Sequence, residues 1–337
     1  MIGWFKRRWS GSPLFSTGAA LIVMIILQTL ALGFDFSSFG DWLGRWAMNW
    51  LNILRNNAGI GIIALGMTFV IISGGIDLAV GSTLVAVGAL VMALIDTGPR
   101  GVLLNMGITG VPAYAIGIIA GIAAGGALGE ATGLLVTKGK LPPFIATLGT
   151  MKICRSVTQH FTQGYTPAVP KPFLQIASFK IGGLLIMPVL YWIALAAVFY
   201  VISKRTTFGR HVIAVGSNER AARLSGVNVQ RVKRMVYMLI GVMAAASAIL
   251  QVSRIGSMDY ANAGSGNEMD AISAVIVGGT SMSGGRGFVL GTVLGTLIIA
   301  VMNNLLNLLG VPPFLREAFK GVIVIGAVLL QKREATS

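Results

Sequence analysis

Polar side chains inside otherwise apolar segments are the residues of this chain best suited to contact a solute. They are amides and hydroxyls with one carboxylate, namely Asn57, Thr68, Ser73, Asp77, Asn303, Asn304 and Asn307. In apolar surroundings each of these groups needs a hydrogen-bond partner. Bonds between neighbouring helices commonly meet that need. The residue types therefore favour hydrogen bonding over covalent chemistry, with helix contacts as the first expectation for any single residue.

Three charged side chains within apolar segments need compensating contacts. Asp77, in GGIDLAVG, should be paired or solvated, or should cap a helix that begins near Leu78. Glu130 stands in the small-residue run GIIAGIAAGGALGEATG, where it is either paired at an interface or functional. Arg155 either pairs with a carboxylate or lines a vestibule. The small residues around Glu130 also predict a close helix–helix contact.

The cysteine and histidine residues of the sequence do not have the number or spacing of a catalytic or metal-binding motif. Cys154 is the sole cysteine, and His160 and His211 are far apart without ligand spacing. No catalytic residue, no metal site and no cofactor on this chain is predicted.

Long apolar runs place these polar groups on membrane helices. Of the 337 residues, 55% are hydrophobic and 11% are charged. Because the backbone in hydrocarbon must bond to itself, such runs become spanning helices. We predict an all-α, polytopic membrane protein with a single domain over residues 1–337. Its ten apolar segments are 14–33, 53–72, 79–96, 112–137, 142–160, 184–203, 235–255, 270–283, 287–309 and 315–330. Glycine pairs predict broken or re-entrant elements at 70–84 and 274–291.

The basic residues predict which side of the membrane each loop occupies. The net charge is +15, but Lys and Arg cluster at segment ends, which favours a membrane protein over nucleic-acid binding. With both termini in the cytoplasm, the basic residues on the inner side outnumber those outside two to one. A chain with eight spans would also place both termini in the cytoplasm. We expect the first apolar segment to remain as an uncleaved span.

A polar insert at about 204–234 is the longest hydrophilic stretch and contains eight Lys or Arg residues, so we expect it in the cytoplasm. Ser217 or Asn218 can cap a short helix, Ala221 and Ala222 favour it, and Gly226 can end it. The helix is too short to be stable alone. It is either a solvated loop helix or a docking element for a soluble protein.

Four blocks of this sequence resemble the permease subunits of bacterial ABC importers for monosaccharides, the ribose- and galactose-type group. They are GMTFVIISGGIDLAVGS at 66–82, LPPFIATLGTM at 141–151, TTFGRHVIAVGSNERAARLSGVNV at 206–229 and DAISAVIVGGTSMSGGRGFVLGTVLG at 270–295. Their order and spacing also match, and the resemblance covers nearly the whole chain.

The resemblance implies a role for the polar insert. It implies a coupling helix that seats on a cytoplasmic ABC ATPase subunit, which carries the ATP and Mg²⁺. The spacing of Glu219, Ala221, Ala222 and Gly226 is similar to the coupling motif of ABC importers. The residues implied for coupling are Ser217, Asn218, Glu219, Arg220, Ala221, Ala222, Arg223, Leu224 and Gly226.

The same resemblance implies the remaining partners. A periplasmic sugar-binding protein would deliver a monosaccharide, with Asp259, Glu268 and Asp270 as docking candidates. The seven polar residues named first would then line the translocation path. The assembly would lie in the inner membrane with a second permease copy or a paralogue.

Two other classes of protein fit these residues less well. An ion-coupled secondary transporter of a small polar solute would need clustered membrane carboxylates, whereas Asp77 and Glu130 are far apart in sequence. An intramembrane enzyme would need paired catalytic groups, and no such motif appears. The identity of the sugar and the choice between identical and different permease partners stay open.

Overall fold

The computed structural model describes residues 13–34, 38–312, 314–322 and 325. The described residues are helical and contain no strand, apart from one isolated bridge between Ile181 and Leu184. The helices are α1 Pro13–Leu32, α2 Phe39–Ile72, α3 Val80–Ile95, α4 Val102–Asn105, α5 Gly110–Thr137, α6 Pro143–Thr162, α7 Lys171–Ser178, α8 Met187–Arg205, α9 Thr207–Ser217, α10 Glu219–Leu224, α11 Val229–Ile255, α12 Asn267–Val277 and α13 Val289–Leu308. The predicted all-α fold class is confirmed.

Six of the described helices, α1, α2, α5, α8, α11 and α13, are long and apolar enough to cross a membrane. Two predicted spans form shorter helices, since α3 has 16 residues and α12 has 11. A third, α6, has 20 residues but carries Lys152, Arg155 and His160 and is not among the six. The predicted count of ten spans is therefore not confirmed.

Parts of the prediction lie outside the described residues. The last predicted segment, 315–330, is described in part, and residues 314–322 are helical. Residues 1–12 and 326–337, where the predicted cytoplasmic termini fall, are not described.

Both predicted breaks in helical regularity are confirmed. The chain leaves the helix after Ile72 and re-enters it at Val80, and it is non-helical again between Val277 and Val289. A third break lies at 256–266, between α11 and α12. Five helices, α2, α3, α11, α12 and α13, therefore begin or end at a break.

The centre of the bundle is formed by α2, α11 and α13, while α1, α5 and α8 lie at its periphery. About 72% of the most apolar stretch of α2 is buried inside the protein, compared with 28% for α5. Peripheral helices expose large apolar side chains such as Ile119 and Ile193. Such faces are suited to lipid, because lipid removes the penalty for exposing apolar surface.

Small residues bring α5 and α11 into backbone contact, as predicted from the run at Gly117–Gly133. A Cβ atom on Gly125 would lie 2.5 Å from the carbonyl oxygen of Gly241, so the two backbones leave no room for a side chain. Further along the same contact, Glu130 forms an ion pair with Arg234. Of the two alternatives for Glu130, the structure shows the paired one.

Candidate functional site

The polar insert folds into two short helices, α9 and α10, separated by the single residue Asn218. The backbone of Asn218 is extended, and its side-chain Oδ1 accepts a hydrogen bond from the backbone N–H of Ala221 at 3.0 Å. This bond satisfies one of the free N–H groups at the start of α10. The predicted cap is thus confirmed at Asn218. The Ser217 hydroxyl instead donates to the carbonyl of Ile213 within α9.

Gly226 ends α10, as predicted. It has a φ of +83°, in the left-handed region that favours glycine. The N–H of Val227 donates to the carbonyl of Ala222 at 3.0 Å, which closes the helix end. Helix α10 therefore has only the six residues Glu219–Leu224, and it depends on its surroundings for stability.

One face of α10 packs against the protein and the other is open. Ala222 is 5% exposed, whereas Leu224 is 90% exposed. Glu219 forms ion pairs with Arg223 at 3.3 Å and with Lys233 of α11 at 2.6 Å. The open face presents a leucine beside the side chains of Arg220 and Arg223. This arrangement suits contact with a second protein.

The end of α9 is fixed to both predicted helix breaks by backbone contacts. The N–H of Gly285 donates to the carbonyl of Ile72 at 2.8 Å. A Cβ on Gly216 would overlap the carbonyl oxygen of Ile72 and lie 2.6 Å from the nitrogen of Gly285. We call Ile72, Gly216, Gly284 and Gly285 the glycine junction. It joins the end of α2, the end of α9 and the loop before α13 without an intervening side chain.

Aromatic packing adds a second connection between α9 and α2. Phe208 of α9 stacks on Phe69 of α2 with ring centroids 6.0 Å apart, and Phe199 of α8 meets Phe69 edge-on at 5.5 Å. Offset and edge-on ring pairs are the favourable geometries. The polar insert is thus held along α2 as well as at its end.

The hydroxyls predicted to line a path are bonded within the protein. Thr68 of α2 and Thr292 of α13 share a hydrogen bond at 2.6 Å, and Thr68 also donates to the carbonyl of Ala64. Ser73 donates to the carbonyl of Val70. Both residues are buried. For Thr68 the structure shows the predicted contact between helices, whereas the Ser73 hydroxyl bonds within the end of its own helix.

Asp77 lies in the first break, next to the start of α3. It is 5% exposed, and its carboxylate accepts a hydrogen bond from the N–H of Ala79 at 2.7 Å. Because α3 begins at Val80, this carboxylate stands at the positive end of the helix. The bond to Ala79 closes a local turn before α3, but the predicted cap is not formed, since Ala79 is the N-cap residue and no side chain caps this helix. The helix starts two residues later than expected.

The predicted amides are distributed along α2 and α13. Asn57 donates to the carbonyl of Ile53, Asn304 pairs with Asn49 at 3.3 Å, and Asn307 accepts from Arg316 at 3.0 Å. Asn303 is half-buried. The structure does not gather the seven predicted path residues around one space.

A cavity of about 200 Å³ instead lies between α2, α11 and the start of α12. It is lined by Arg55, Asn56, Gly59, Ile60, Ser247, Leu250, Gln251, Arg254, Gly264 and Asn267. We call it the polar cavity. The prediction missed most of these residues. A signal was present, because positions 247, 251 and 254 have the spacing of one helix face.

The acidic residues predicted for docking have different surroundings. Asp259 is exposed, and its carboxylate accepts bonds from the N–H of Ala261 and the amide of Asn262, which hold its pKa below the usual range. Glu268 is half-buried. Asp270 is 5% exposed and forms an ion pair with Lys320 at 2.8 Å. Including Asp270 in an exposed docking surface was therefore wrong.

Arg155 forms no ion pair with a carboxylate among the described residues, and the alternative that it lines a vestibule stays a prediction. Its guanidinium donates to the carbonyls of Tyr260 at 3.2 Å and Ala263 at 2.8 Å. These carbonyls belong to the third break, 256–266. Arg155 thus connects α6 to the segment that leads to Gly264 and the polar cavity.

Comparisons with known proteins identify the family of the chain. Residues 49–328 match the sequence model of a family described as branched-chain amino acid transport system / permease component. Over 290 residues the chain is 42% identical to the ribose import permease protein RbsC of Bacillus subtilis (strain 168), with 86% of each chain covered.

Two Escherichia coli (strain K12) proteins are similar over most of their length. Identity is 37% to the ribose import permease protein RbsC, covering 94% of this chain and 92% of that one. It is 34% to the galactofuranose transporter permease protein YtfT, covering 98% and 93%. No solved structure matches the chain. The resemblance predicted from four sequence blocks is confirmed, and the chain belongs to this family of transport-system permease components.

Proposed function

We propose that this chain is the membrane-spanning permease subunit of an ATP-driven ABC importer that carries a monosaccharide across the bacterial inner membrane. Relatives named as ribose and galactofuranose permeases support this substrate class. ATP and Mg²⁺ are bound by a separate cytoplasmic ATPase subunit. A periplasmic binding protein delivers the sugar, and a second permease copy or a paralogue completes the assembly. Both termini lie in the cytoplasm.

The observation that carries this proposal is the position of α10 beside the glycine junction. Helix α10 is open to a partner, and the residues just before it contact the carbonyl of Ile72 and the nitrogen of Gly285 directly. Close-packed backbone transmits displacement better than flexible side chains do. A movement of α10 would therefore reach both helix breaks. Coupling of ATP hydrolysis to transport requires such a connection.

The open face of α10 has the chemistry of a docking surface. Leu224 is an apolar side chain that only a partner can bury, and Arg220 and Arg223 flank it. Interfaces typically combine a buried apolar anchor with a polar rim. A groove with an apolar floor and acidic edges on the ATPase would complement this face.

The surroundings of the membrane carboxylates give no support to ion coupling. Glu130 is paired with Arg234, and Asp77 accepts the N–H of Ala79. A proton- or sodium-coupled transporter uses carboxylates that exchange their partner during the cycle. Uptake by reconstituted protein should therefore require ATP hydrolysis and should survive collapse of ion gradients. Uptake that needs an ion gradient and no ATP would contradict the proposal.

Replacing Leu224 with aspartate tests the coupling role of α10. Because the side chain is almost fully exposed, Leu224→Asp should leave the fold intact while placing a charge at the centre of the interface. We expect sugar uptake by the complex with its ATPase to fall at least about tenfold. Gln230→Asp introduces the same charge at an exposed position of α11 and should leave uptake unchanged. Equal uptake by both variants would remove α10 from the interface.

Bulky replacements at Ala222 or Gly226 are also expected to uncouple ATP hydrolysis from uptake. Ala222 is buried and Gly226 has a positive φ, so these changes also strain α10 itself. A substitution at the exposed Leu224 therefore tests docking with less effect on folding than a substitution at Ala222 or Gly226.

Cysteine labelling tests the proposed orientation. The native Cys154 is buried and can be replaced by alanine. Arg220→Cys should react with an impermeant thiol reagent only from the cytoplasmic side, and Ala261→Cys only from outside. A cysteine at position 218 should also react only from the cytoplasmic side, but it would remove the cap that Asn218 provides for α10. Labelling of position 220 from outside would overturn the topology.

A further inference from the structure

We propose that the polar cavity is a binding site of this chain for a neutral, polyhydroxylated solute the size of one sugar ring. The proposal rests on the proposed function, since it assigns the substrate of that permease to a defined place. The cavity does not include the seven path residues that the sequence predicted.

The size of the cavity fits a single ring. Its volume is about 200 Å³. At about 30 Å³ for each water in the liquid, this is space for roughly six or seven waters. One monosaccharide displaces water on that scale, whereas a disaccharide needs about twice the space. Gly59 contributes to this space, because a Cβ there would lie 2.9 Å from the Ser247 hydroxyl.

Three polar side chains at the cavity have unused hydrogen-bonding capacity. Among the residues that the structure describes, the side chains of Ser247, Gln251 and Asn267 make no hydrogen bond to the protein. Ser247 is 3% exposed, and the two amides are half-buried. A hydroxyl and two amides both donate and accept. Sugar hydroxyls also do both, so a sugar can satisfy all three groups.

The two charged residues at the cavity bond to neutral groups. Arg55 donates to Asn52 at 3.0 Å, and Arg254 donates to the Asn56 side chain at 3.1 Å. The lining contains no carboxylate, which argues against a cation. Each guanidinium keeps further N–H donors. Because sugar hydroxyls and anionic oxygens both accept such bonds, a comparison of sugar with inorganic phosphate decides between a neutral ligand and an anion.

The floor of the cavity is connected to the first helix break. A Cβ on Gly264 would lie 2.5 Å from the carbonyl oxygen of Gly81, in the first turn of α3. Helix α3 directly follows the break that contains Asp77. From Ile60 at the cavity to Ile72 at the glycine junction, α2 spans roughly 18 Å. A sugar in the cavity would therefore rest on an element that moves with the breaks.

Protection of an introduced cysteine tests the site directly. In a Cys154→Ala background, Ile60→Cys keeps the three polar groups and should react with a small polar thiol reagent in the purified chain, because Ile60 is a half-buried residue of the lining. Since protection grows as 1 + [L]/Kd, we expect a large excess of D-ribose or D-galactose to slow this reaction at least about threefold. Gln230→Cys, at an exposed position of α11 far from the cavity, should be unaffected. No slowing by either sugar, or equal slowing by inorganic phosphate, would overturn the proposal.

Uptake by the complex with its ATPase and binding protein gives a second readout. Gln251→Leu removes the hydrogen bonds at nearly constant size, and we expect about three- to tenfold slower uptake with unchanged ATP hydrolysis. Gln230→Leu is the matched control. If Gln251→Leu imports sugar as fast as Gln230→Leu, and if sugar does not slow labelling of the cavity cysteine, then the cavity is not a binding site. The proposed function would be unaffected by that result. A wild-type complex that imports no sugar would refute the proposed function, and the labelling result would still decide the cavity.

Discussion

The glycine junction and the polar cavity lie on the same helix, α2, yet glycine has opposite uses in them. At the junction, Gly216 has no side chain so that the backbones of three segments can touch. At the cavity, Gly59 has no side chain so that space remains beside Ser247. One region is as tightly packed as a protein interior can be. The other leaves polar groups without partners.

This difference in packing suits the glycine junction to transmitting movement and the polar cavity to binding a ligand. A contact that transmits movement must not compress, and backbone groups in direct contact meet that requirement. A site that releases its ligand must hold it by a few hydrogen bonds to side chains. The same substitution, glycine to a larger residue, should therefore damage the two regions in different ways.

The largest effect is expected from Gly216→Ala. The added methyl group would overlap the carbonyl of Ile72, which belongs to the backbone and cannot rotate away. We expect a loss of about 3 kcal/mol in the free energy of unfolding, as for severe overpacking. Thermal unfolding in detergent, together with the ratio of uptake to ATP hydrolysis, would measure it.

The matched control is Gly149→Ala on α6, where a Cβ meets open space. It should be neutral or slightly stabilising, since alanine favours helix more than glycine does. If Gly216→Ala has the same unfolding temperature and the same ratio of uptake to ATP hydrolysis as this control, the glycine junction is not a close contact.

Gly59→Val should affect transport more than stability. The first carbon would lie 2.9 Å from the Ser247 hydroxyl, whose side chain can rotate, and the remaining methyl groups would enter the cavity. We expect uptake to fall at least about tenfold through loss of the ligand's space, with unfolding changed by about 1 kcal/mol. Gly44→Val, on the same helix in open space, controls for the helix propensity of valine. Similar uptake by the two variants would show that the cavity is not used.

A smaller effect is expected from Arg155→Gln, which loosens the floor of the cavity. The guanidinium holds the carbonyls of Tyr260 and Ala263, two places in the third break. We expect about threefold slower uptake and weaker sugar protection at position 60, because each lost bond to a charged donor destabilises the segment. Arg155→Lys keeps one donor and should restore part of the protection. An unchanged labelling pattern in Arg155→Gln would separate this arginine from the cavity.

Local features of the fold could be predicted because neighbouring residues determine them. The Asn218 cap, the glycine at the end of α10 and the two glycine-rich breaks all follow from short stretches of sequence. The span count could not be predicted in this way. Apolar runs give the same signal whether they form a full span or a helix of 11 residues such as α12, because its length is set by the third break.

The candidate site was harder to predict because distant segments build it. Ile72, Gly216 and Gly285 are brought together by tertiary packing, and no local pattern pairs a turn in one segment with a carbonyl in another. The spacing of Ser247, Gln251 and Arg254 marks one face of α11. The sequence could not show that α2 and the start of α12 leave this face open.

The smallest effect is expected midway between the two regions, at the hydrogen bond between Thr68 and Thr292. Thr68→Val keeps the shape of the side chain and removes the hydroxyl, which is buried and bonded at 2.6 Å to its neighbour. Hydrogen bonds between membrane helices contribute about 0.6 kcal/mol on average, and we expect a coupling of that size from the double-mutant cycle with Thr292→Val. Uptake should stay within about twofold, because the cost of a helix contact is shared by folded states on both sides of the transport cycle. A tenfold loss of uptake with unchanged unfolding would instead mean that the Thr68 hydroxyl contacts the solute, and the path would then run along the centre of α2 from the cavity to the junction.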